Sequence, residues 1–409
     1  MVTTEHRFKT RQMDLERILE DLPRKRDALV RIREILVANA VMIGEIPAPT
    51  FGEADRIHFV SQRFSEVGLD SSIDEAGNVQ AVIPGRKGEK NILISAHADT
   101  APTDADTAIN VSADQISGAG IADNSLGLAV LVTLPDILNT LGLTLEHNLV
   151  LLGTPRSLGA GDLEALRFFL DHCSLSISAG VCLEGVHLGR LSYSCLGMNR
   201  GEITCEQPGV SLDWFNAGQQ NPIITLNQIL TRILAIPVPQ KPKTTVILGS
   251  IRAGRGYNRP PNRARMRFEV RSEQVGFALR IREQIAEIID EVSAETGTLN
   301  SLEILARRKP GGVPFGHPIV KATRAIMRKL SIQPQFAPSV GDLSAMISKR
   351  IPSVTLGITR GTSSEGEELV EIEPLFDGLA QLIGLIQYID GNVKDMEPVD
   401  IAEGELIHE

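Results

Sequence analysis

The stretch from Asn91 to Ala129 constrains the chain more than any other. An apolar run ends in His97 and Asp99, and Asp123 follows at the start of a helical pattern. Histidine and carboxylates at the carboxyl end of a strand and at the start of the next helix are typical of an active site in an open α/β sheet. Imidazole and carboxylate groups are also the side chains that bind zinc. The stretch therefore predicts the core of a metal site.

Composition excludes several classes of protein. The chain has 409 residues. A single hydrophobic core rarely serves so long a chain, so we expect two domains. A formal net charge of −10 disfavours a nucleic-acid-binding protein, which needs a basic face. The N-terminus has no apolar signal-peptide core, and we expect no stretch long and apolar enough to span a bilayer. The four cysteines have no paired C-x-x-C spacing, which disfavours a zinc ribbon. These features predict an acidic, cytoplasmic protein.

Strands and helices alternate through the first half of the chain. Apolar runs predict buried strands over 91–96, 148–154 and 180–185, and amphipathic patterns predict helices over 124–141 and 161–172. This alternation predicts an α/β fold with a mixed, mostly parallel sheet flanked by helices. Residues 1–25 are expected to form an N-terminal helix or a loosely held arm, with Arg24, Lys25 and Arg26 on a solvated face.

The pattern changes after about Gly197. The predicted order becomes β-α-β-β-α-β, a unit that folds as an independent small domain. Its expected elements are strands at 197–207, 244–250, 263–272 and 299–307 and helices at 222–236 and 275–296. We therefore predict a large domain formed by 26–196 and 309–395, an inserted domain at 197–308, and an acidic tail at 396–409.

These motifs in combination resemble one family. His97-x-Asp99, the segment G-x-x-D-N-x-x-G that contains Asp123, and Glu184 after a strand accompany the inserted domain. The pattern is similar to that of the co-catalytic zinc exopeptidases and amidohydrolases, such as peptidase T, glutamate carboxypeptidase and aminoacylase, and extends over nearly the whole chain. The resemblance implies a zinc-exopeptidase fold whose ferredoxin-like inserted domain is a lid or dimerisation domain.

The resemblance also implies a set of ligands. His97 matches the first zinc ligand, Asp123 the aspartate that bridges two ions, and Glu184 the carboxylate of the first ion. Asp99 matches the residue that orients the imidazole, as outer-shell carboxylates do in many metal sites. In such a site, two ions about 3.5–4 Å apart polarise the scissile carbonyl and activate a water molecule.

The remaining positions of the implied site depart from the family pattern. Ser157 stands where the family has its general base, and Leu158 where it has a ligand for the second ion. The C-terminal histidine ligand is replaced by Ser364, although a shift of one residue would offer Glu365. In the inserted domain, Ser211 stands at the position of a histidine that helps to bind substrate. Leucine has no lone pair to donate to a metal. A serine hydroxyl cannot take up a proton near neutral pH as a carboxylate can.

Other interpretations of these residues stay open. His97, Asp99 and Asp123 could form a polar cluster without metal, and Glu184 could be an ordinary acidic residue after a strand. Asn258 and Arg271 match family positions that contact a substrate carboxylate, but both could instead have structural roles at the edge of the inserted domain.

Three functions are compatible with this pattern. The first is a hydrolase of peptide or amide bonds that uses at most one Zn²⁺ or another divalent cation and a base unlike that of the family. The second is an inactive relative that binds a peptide or amino-acid-like ligand between the domains. The third is a structural subunit that dimerises through the inserted domain. The expected partners are a small peptide or acyl-amino-acid ligand and a second copy of the chain, without nucleic acid or membrane.

Overall fold

The chain forms two units. A computed structural model of the protein describes residues 3–101, 108–207, 221–257, 261–364 and 367–396. Among these residues, the first unit comprises those up to Cys195 together with 312–396, and the second comprises Leu196–Gly311.

The helices and strands follow one another in the order of the chain. The first part of unit one contains α1 Thr3–Leu29, α2 Arg33–Gly44, α3 Ala54–Glu66, β1 Ser71–Ile73, β2 Val79–Ile83, β3 Asn91–His97, β4 Asn110–Val111, β5 Gln115–Ser117, α4 Leu126–Thr140, β6 Asn148–Thr154, α5 Glu164–His172, β7 Ile177–Glu184, β8 Arg190–Ser192 and β9 Ser194–Cys195. Unit two contains β10 Gly197–Glu206, α6 Pro222–Leu234, β11 Thr244–Ala253, β12 Arg263–Ser272, α7 Val275–Thr296 and β13 Leu299–Arg308. The chain continues through β14 Gly311–Gly312, α8 Pro318–Lys329, β15 Gln335–Phe336, α9 Leu343–Ser348, β16 Ser353–Gly357, β17 Gly361–Ser364, β18 Glu367–Glu371 and α10 Leu375–Gly391.

A mixed, mostly parallel sheet forms the centre of unit one. Among the described residues its strand order is β1-β2-β6-β3-β7-β16-β8-β15. Strand β3 runs parallel to β6 and β7, and β16 runs parallel to β7, whereas β2 and β8 are antiparallel to their neighbours β6 and β16. Every residue of β3 is buried, as expected for a parallel strand covered on both faces. The predicted fold class is confirmed.

The register of this sheet places two of the candidate ligands side by side. Ser95 of β3 pairs with Cys182 of β7. His97 and Glu184 each lie two residues further on, so their side chains point to the same face of the sheet. Both residues end their strands, and the carboxyl ends of parallel strands are where open α/β sheets bind ligands.

Unit two is an antiparallel sheet with two helices. Its strand order is β11-β12-β10-β13, and α6 and α7 pack on one face of the sheet. Buried apolar residues from the helices and from the strands make its own core, among them Leu226, Ile229, Ile285, Met266 and Phe268. The elements follow in the order β-α-β-β-α-β. A role of this unit as a lid or as a dimerisation domain remains a prediction.

Helix α1 corrects the interpretation of the N-terminal basic cluster. The side chain of Lys25 is only 7% exposed, lies 3.0 Å from the Asp21 carboxylate, and donates a hydrogen bond of 2.6 Å to Gln387 of α10. Arg26 forms ion pairs with Asp377 and Glu373. The prediction of a solvated face was therefore wrong for Lys25 and Arg26, because these two side chains attach α1 to the C-terminal part of the unit.

The expectation about membrane-spanning segments also needs correction. The helical segment Ile121–Thr140 is long and apolar enough to cross a membrane by length and composition. The sequence-based expectation that the chain has no such stretch was therefore wrong. In the structure, 83% of the segment is buried inside the protein, where α4 packs against β3, β6 and β7 of the central sheet. The same apolar composition is expected of a helix that lies in a core.

The packing of α1 predicts a stability effect. Leu22 is fully buried beside Gly384 of α10 and Ile326 of α8. Replacing Leu22 with alanine leaves a cavity, so we expect Leu22→Ala to lower the free energy of unfolding by about 2–5 kcal/mol in urea denaturation. Val30→Ala is the control, because Val30 is 43% exposed and its truncation should change the same quantity by less than about 0.5 kcal/mol. Equal, small effects of the two substitutions would mean that α1 is loosely held.

Candidate metal centre

Three side chains converge at the carboxyl ends of β3 and β7. One ligand atom from each of His97, Asp123 and Glu184 lies within 4.8 Å of the other two. Within the described ranges, this is the one group of three or more histidine, cysteine or acidic side chains that is close enough to hold a metal ion. The His97 ring is buried, the Glu184 side chain is 22% exposed and the Asp123 side chain is 44% exposed. The cluster can therefore be reached from solvent on the side of Asp123.

His97 lies between two aspartates. Its Nε2 is 3.1 Å from Oδ1 of Asp123, while its Nδ1 is 3.0 Å from the backbone oxygen of Asp99 and 3.4 Å from Oδ1 of the same residue. Burial by itself lowers the pKa of His97, but the hydrogen bonds and charges of Asp123 and Asp99 raise it well above its ordinary value. Both ring nitrogens thus face an acceptor oxygen, an arrangement that favours the protonated imidazole.

Asp99 lies behind His97 and holds it in place. Its Oδ2 accepts hydrogen bonds from Thr50 Oγ1 at 3.0 Å and from the backbone N–H of Leu158 at 2.7 Å. Burial raises the pKa of Asp99, but the protonated His97 and the backbone N–H groups of Leu158 and Ser157 outweigh burial, and the net shift is downward. Asp99 is thus an ionised residue that touches His97, which is the arrangement expected of an orienting carboxylate.

Asp123 belongs to a short turn, Ile121–Ser125, that precedes α4. The backbone of Asp123 leaves the helical conformation, with φ −129° and ψ 83°, and the following peptide bond to Asn124 is cis. The turn begins after Gly120, whose φ of +74° lies in the left-handed region that glycine adopts without strain. Burial raises the pKa of Asp123, but the hydrogen bond and the charge of His97 outweigh burial, so the net shift is downward and the carboxylate is ionised.

Asn124 connects this turn to the strand that carries Glu184. Its Nδ2 donates to the backbone oxygen of Leu183 at 2.8 Å, and its Oδ1 accepts the backbone N–H of Gly185 at the same distance. The amide group therefore holds the backbone on both sides of Glu184. A Cβ atom on Gly127 would collide with this amide group, which explains why the D-N-x-x-G pattern ends in glycine.

Two charged residues near the cluster were not predicted. Arg190 Nη1 lies 3.9 Å from Glu184 Oε1, and Asp342 is a buried carboxyl group that accepts a 3.4 Å hydrogen bond from Ser95. Burial raises the pKa of Glu184, the positive charges of Arg190 and His97 oppose that effect, and the net shift is upward. Arg190 belongs to the short strand β8 and Asp342 immediately precedes the short helix α9, and no motif marked either of them.

The positions that the resemblance assigns to the base and to the second ion hold Ser157, Leu158 and Ser364, none of which has a carboxylate. Ser157 is buried, with its hydroxyl 3.3 Å from that of Thr154. Leu158 contributes its backbone N–H to Asp99. Ser364 ends β17 and pairs through its backbone with Glu367 in the β17–β18 hairpin. Glu365, the alternative ligand, lies outside the described residues.

The predicted substrate-binding residues belong to unit two. Arg271 forms an ion pair with Glu269, which also accepts a hydrogen bond of 2.8 Å from Arg200. Asn258 and Ser211 lie outside the described residues. Arg271 is therefore engaged by a carboxylate of its own strand, and its contact with a substrate remains a prediction.

The donor set of the cluster fits one divalent cation. An imidazole nitrogen and two carboxylates are ligands that zinc accepts, and three protein ligands leave a position for water or substrate. Two of the three ligands are fixed from behind, His97 by Asp99 and the strand end at Glu184 by Asn124. Such outer contacts are characteristic of metal sites. A polar cluster without metal would also satisfy His97, because its two aspartate neighbours balance its charge.

Comparisons with known proteins agree with the family resemblance. Residues 78–154, which include β3 and Asp123, match the sequence profile of Peptidase family M28. A [LysW]-lysine/[LysW]-ornithine hydrolase of Saccharolobus islandicus is 22% identical over 296 residues, which are 71% of this chain and 79% of that protein. The first match covers part of the chain, and the second is at low identity.

Solved structures share the fold at low sequence identity. The di-peptidase Dug1p of Saccharomyces cerevisiae has a TM-score of 0.75 at 14% identity, covering 91% of this chain and 98% of its own. An M20-family metallo-carboxypeptidase from Sulfolobus solfataricus has a TM-score of 0.70 at 14% identity, covering 87% and 99%. The resemblance to zinc exopeptidases is confirmed by this shared fold. The comparisons support a hydrolase of the peptidase or amidohydrolase type as the general class.

The protonated state of His97 predicts a pH dependence of metal binding. A cation needs the lone pair of Nε2, so its binding must displace the proton shared with Asp123. Since the pKa of His97 is raised, we expect about one proton to be released per ion, and metal affinity to fall as the pH is lowered. Calorimetric titration with zinc in buffers of different ionisation enthalpy measures this release. Binding without proton release at pH 7 would contradict the raised pKa of His97 in the metal-free protein.

Proposed function

We propose that the chain is a hydrolase of peptide or amide bonds that binds one divalent cation, Zn²⁺ being the first candidate, at His97, Asp123 and Glu184. The observation that carries the proposal is the convergence of these three ligand atoms within 4.8 Å at the carboxyl ends of parallel strands. The hydrolases and peptidases among its relatives support the reaction class.

Each residue of the site has a separate task in this proposal. His97 supplies Nε2 as a ligand to the cation. Asp99 accepts the hydrogen of Nδ1 and so selects the tautomer that leaves the lone pair of Nε2 available. Asp123 and Glu184 supply the negative charge that attracts the cation. When bound, the cation supplies Lewis acidity for a substrate carbonyl and a lowered pKa for water. Arg190 adds a positive charge beside Glu184.

The replaced residues predict slow turnover. With Ser157 at the position of the family's base, no carboxylate stands there to take the proton of the attacking water. General base catalysis contributes roughly 10²–10⁴-fold to rates. We therefore expect activity well below that of two-ion exopeptidases, and the substrates to be small peptides or N-acyl amino acids. The name of the Saccharolobus relative adds lysine and ornithine derivatives to the candidates.

Metal content and turnover test the proposal together. We expect protein purified without added zinc to contain about one divalent ion per chain by mass spectrometry. It should slowly hydrolyse at least one member of a panel of dipeptides and N-acyl amino acids, including N-acyl-lysine and N-acyl-ornithine. His97→Ala should lose both the ion and the turnover, because it removes a ligand. A chelator should abolish turnover in the unmodified protein, and added zinc should restore it.

A matched control uses a histidine outside the cluster. His172 stacks on Phe168 on the surface of α5, so His172→Ala should keep both the metal and the activity. Two ions per chain would contradict the assignment of Leu158 and Ser364 as positions without ligands. Turnover that survives His97→Ala would exclude the metal site as the catalytic centre.

The second function is that of an inactive relative that binds a peptide-like ligand. The presence of Ser157 and Leu158 at the positions of the base and of a ligand favours this alternative. Protein that hydrolyses no member of the panel, but whose melting temperature rises with one of these compounds, would support it. Protein that shows neither turnover nor ligand binding, and that dimerises through unit two, would support the structural role.

A further inference from the structure

We propose that Glu368 is a positioning residue that fixes Asp123 as a metal ligand. The inference rests on the proposed binding of a cation at His97, Asp123 and Glu184. Glu368 lies on β18, far along the chain from Asp123, and its side chain contacts the backbone of the turn that carries this ligand.

The contact consists of hydrogen bonds to consecutive amides. Glu368 Oε2 accepts the backbone N–H of Ala122 at 2.9 Å and that of Asp123 at 3.2 Å, and the N–H of Gly120 also donates to this carboxylate. Burial raises the pKa of Glu368, and these three N–H groups offset only part of the rise. The carboxylate thus lies against the backbone at the start of the turn rather than in open solvent.

These amides need an acceptor from outside the turn. The first N–H groups of a helical segment have no intrahelical partner, and a carboxylate is favoured at that end. The non-helical backbone of Asp123 interrupts the turn. Without Glu368, the N–H groups of Ala122 and Asp123 would lose the acceptor that determines where the Asp123 side chain emerges. A buried N–H without an acceptor is destabilising, so the turn would rearrange or admit water.

A second connection joins the same strand to the segment before the turn. The backbone N–H of Gly118 donates to the backbone oxygen of Glu368 at 3.0 Å, and Leu369 pairs with Ser117 of β5. The chain on the N-terminal side of Asp123 is therefore held by backbone bonds, and the turn itself by the Glu368 side chain. The β17–β18 hairpin, which has Ser364 in place of a histidine ligand, keeps this separate role.

Glu368 and Asn124 act on different ligands of the cluster. The Asn124 amide holds the strand end on either side of Glu184, whereas Glu368 holds the turn at Asp123. The negative charge of Glu368 also adds to that of Asp123, and both attract a cation. Removal of Glu368 should consequently weaken metal binding although Glu368 is not itself one of the three clustered ligands.

Zinc affinity, measured by competition with a chromogenic chelator, tests the inference on the full-length chain. We expect Glu368→Ala to bind zinc about 10–100-fold more weakly, the usual loss when an outer contact of a metal ligand is removed. Glu368→Gln keeps an acceptor oxygen but loses the charge, so its affinity should lie between those of Glu368→Ala and the unmodified protein. Glu371→Ala on the same strand is the matched control and should leave zinc affinity unchanged.

Hydrogen exchange of the metal-free protein gives a readout independent of zinc. The amides of Ala122 and Asp123 should exchange faster in Glu368→Ala than in Glu371→Ala. Unchanged zinc affinity in a folded Glu368→Ala variant, or in Glu368→Gln if the alanine variant does not fold, would overturn the inference. Unmodified protein that binds no zinc or other divalent cation would instead overturn the proposed function, and this inference with it.

Discussion

The position of His97 between Asp99 and Asp123 is the interaction on which the candidate site depends. One ring nitrogen faces an aspartate that is buried and ionised, and the other faces an aspartate that is partly open to solvent. A buried carboxylate is costly without a cation or donors, so the arrangement requires either a protonated imidazole or a bound metal. The raised pKa of His97 describes the first state, and exchange of one proton for one ion converts it to the second.

Much of the fold could be predicted because it follows from local patterns. The apolar run Ile92–Ile94 in β3 indicated a strand covered on both faces, and the alternation of strands with amphipathic helices indicated a parallel sheet. The position of His97 at the end of that strand also followed from the sequence. The attachment of Lys25 and Arg26 to α10 could not be predicted, because their partners lie about 350 residues away in the sequence and no local pattern connects them.

The candidate site shows the same limit. His97, Asp123 and Glu184 each stand in a recognisable motif, so their proximity could be expected. Arg190, Asp342 and Glu368 stand in no motif that names a role, and each comes near the cluster only through the topology of the sheets. Gly127 was visible in the sequence as the last residue of the D-N-x-x-G pattern. The reason for a glycine there is that the Asn124 amide occupies the space a side chain would need, which only the packing shows.

The loop that carries Ser157 and Leu158 explains why the scaffold tolerates their substitution. The contributions of this loop to the site come from its backbone: the N–H of Leu158 donates to Asp99, and the N–H of Arg156 donates to Glu53. A backbone N–H is present whatever the side chain, so a glutamate can be replaced by leucine without loss of the hydrogen bond that holds Asp99. The side chains at positions 157 and 158 and the hydrogen bonding of Asp99 are therefore physically independent. The proposed one-ion site at His97, Asp123 and Glu184 therefore needs no carboxylate from this loop.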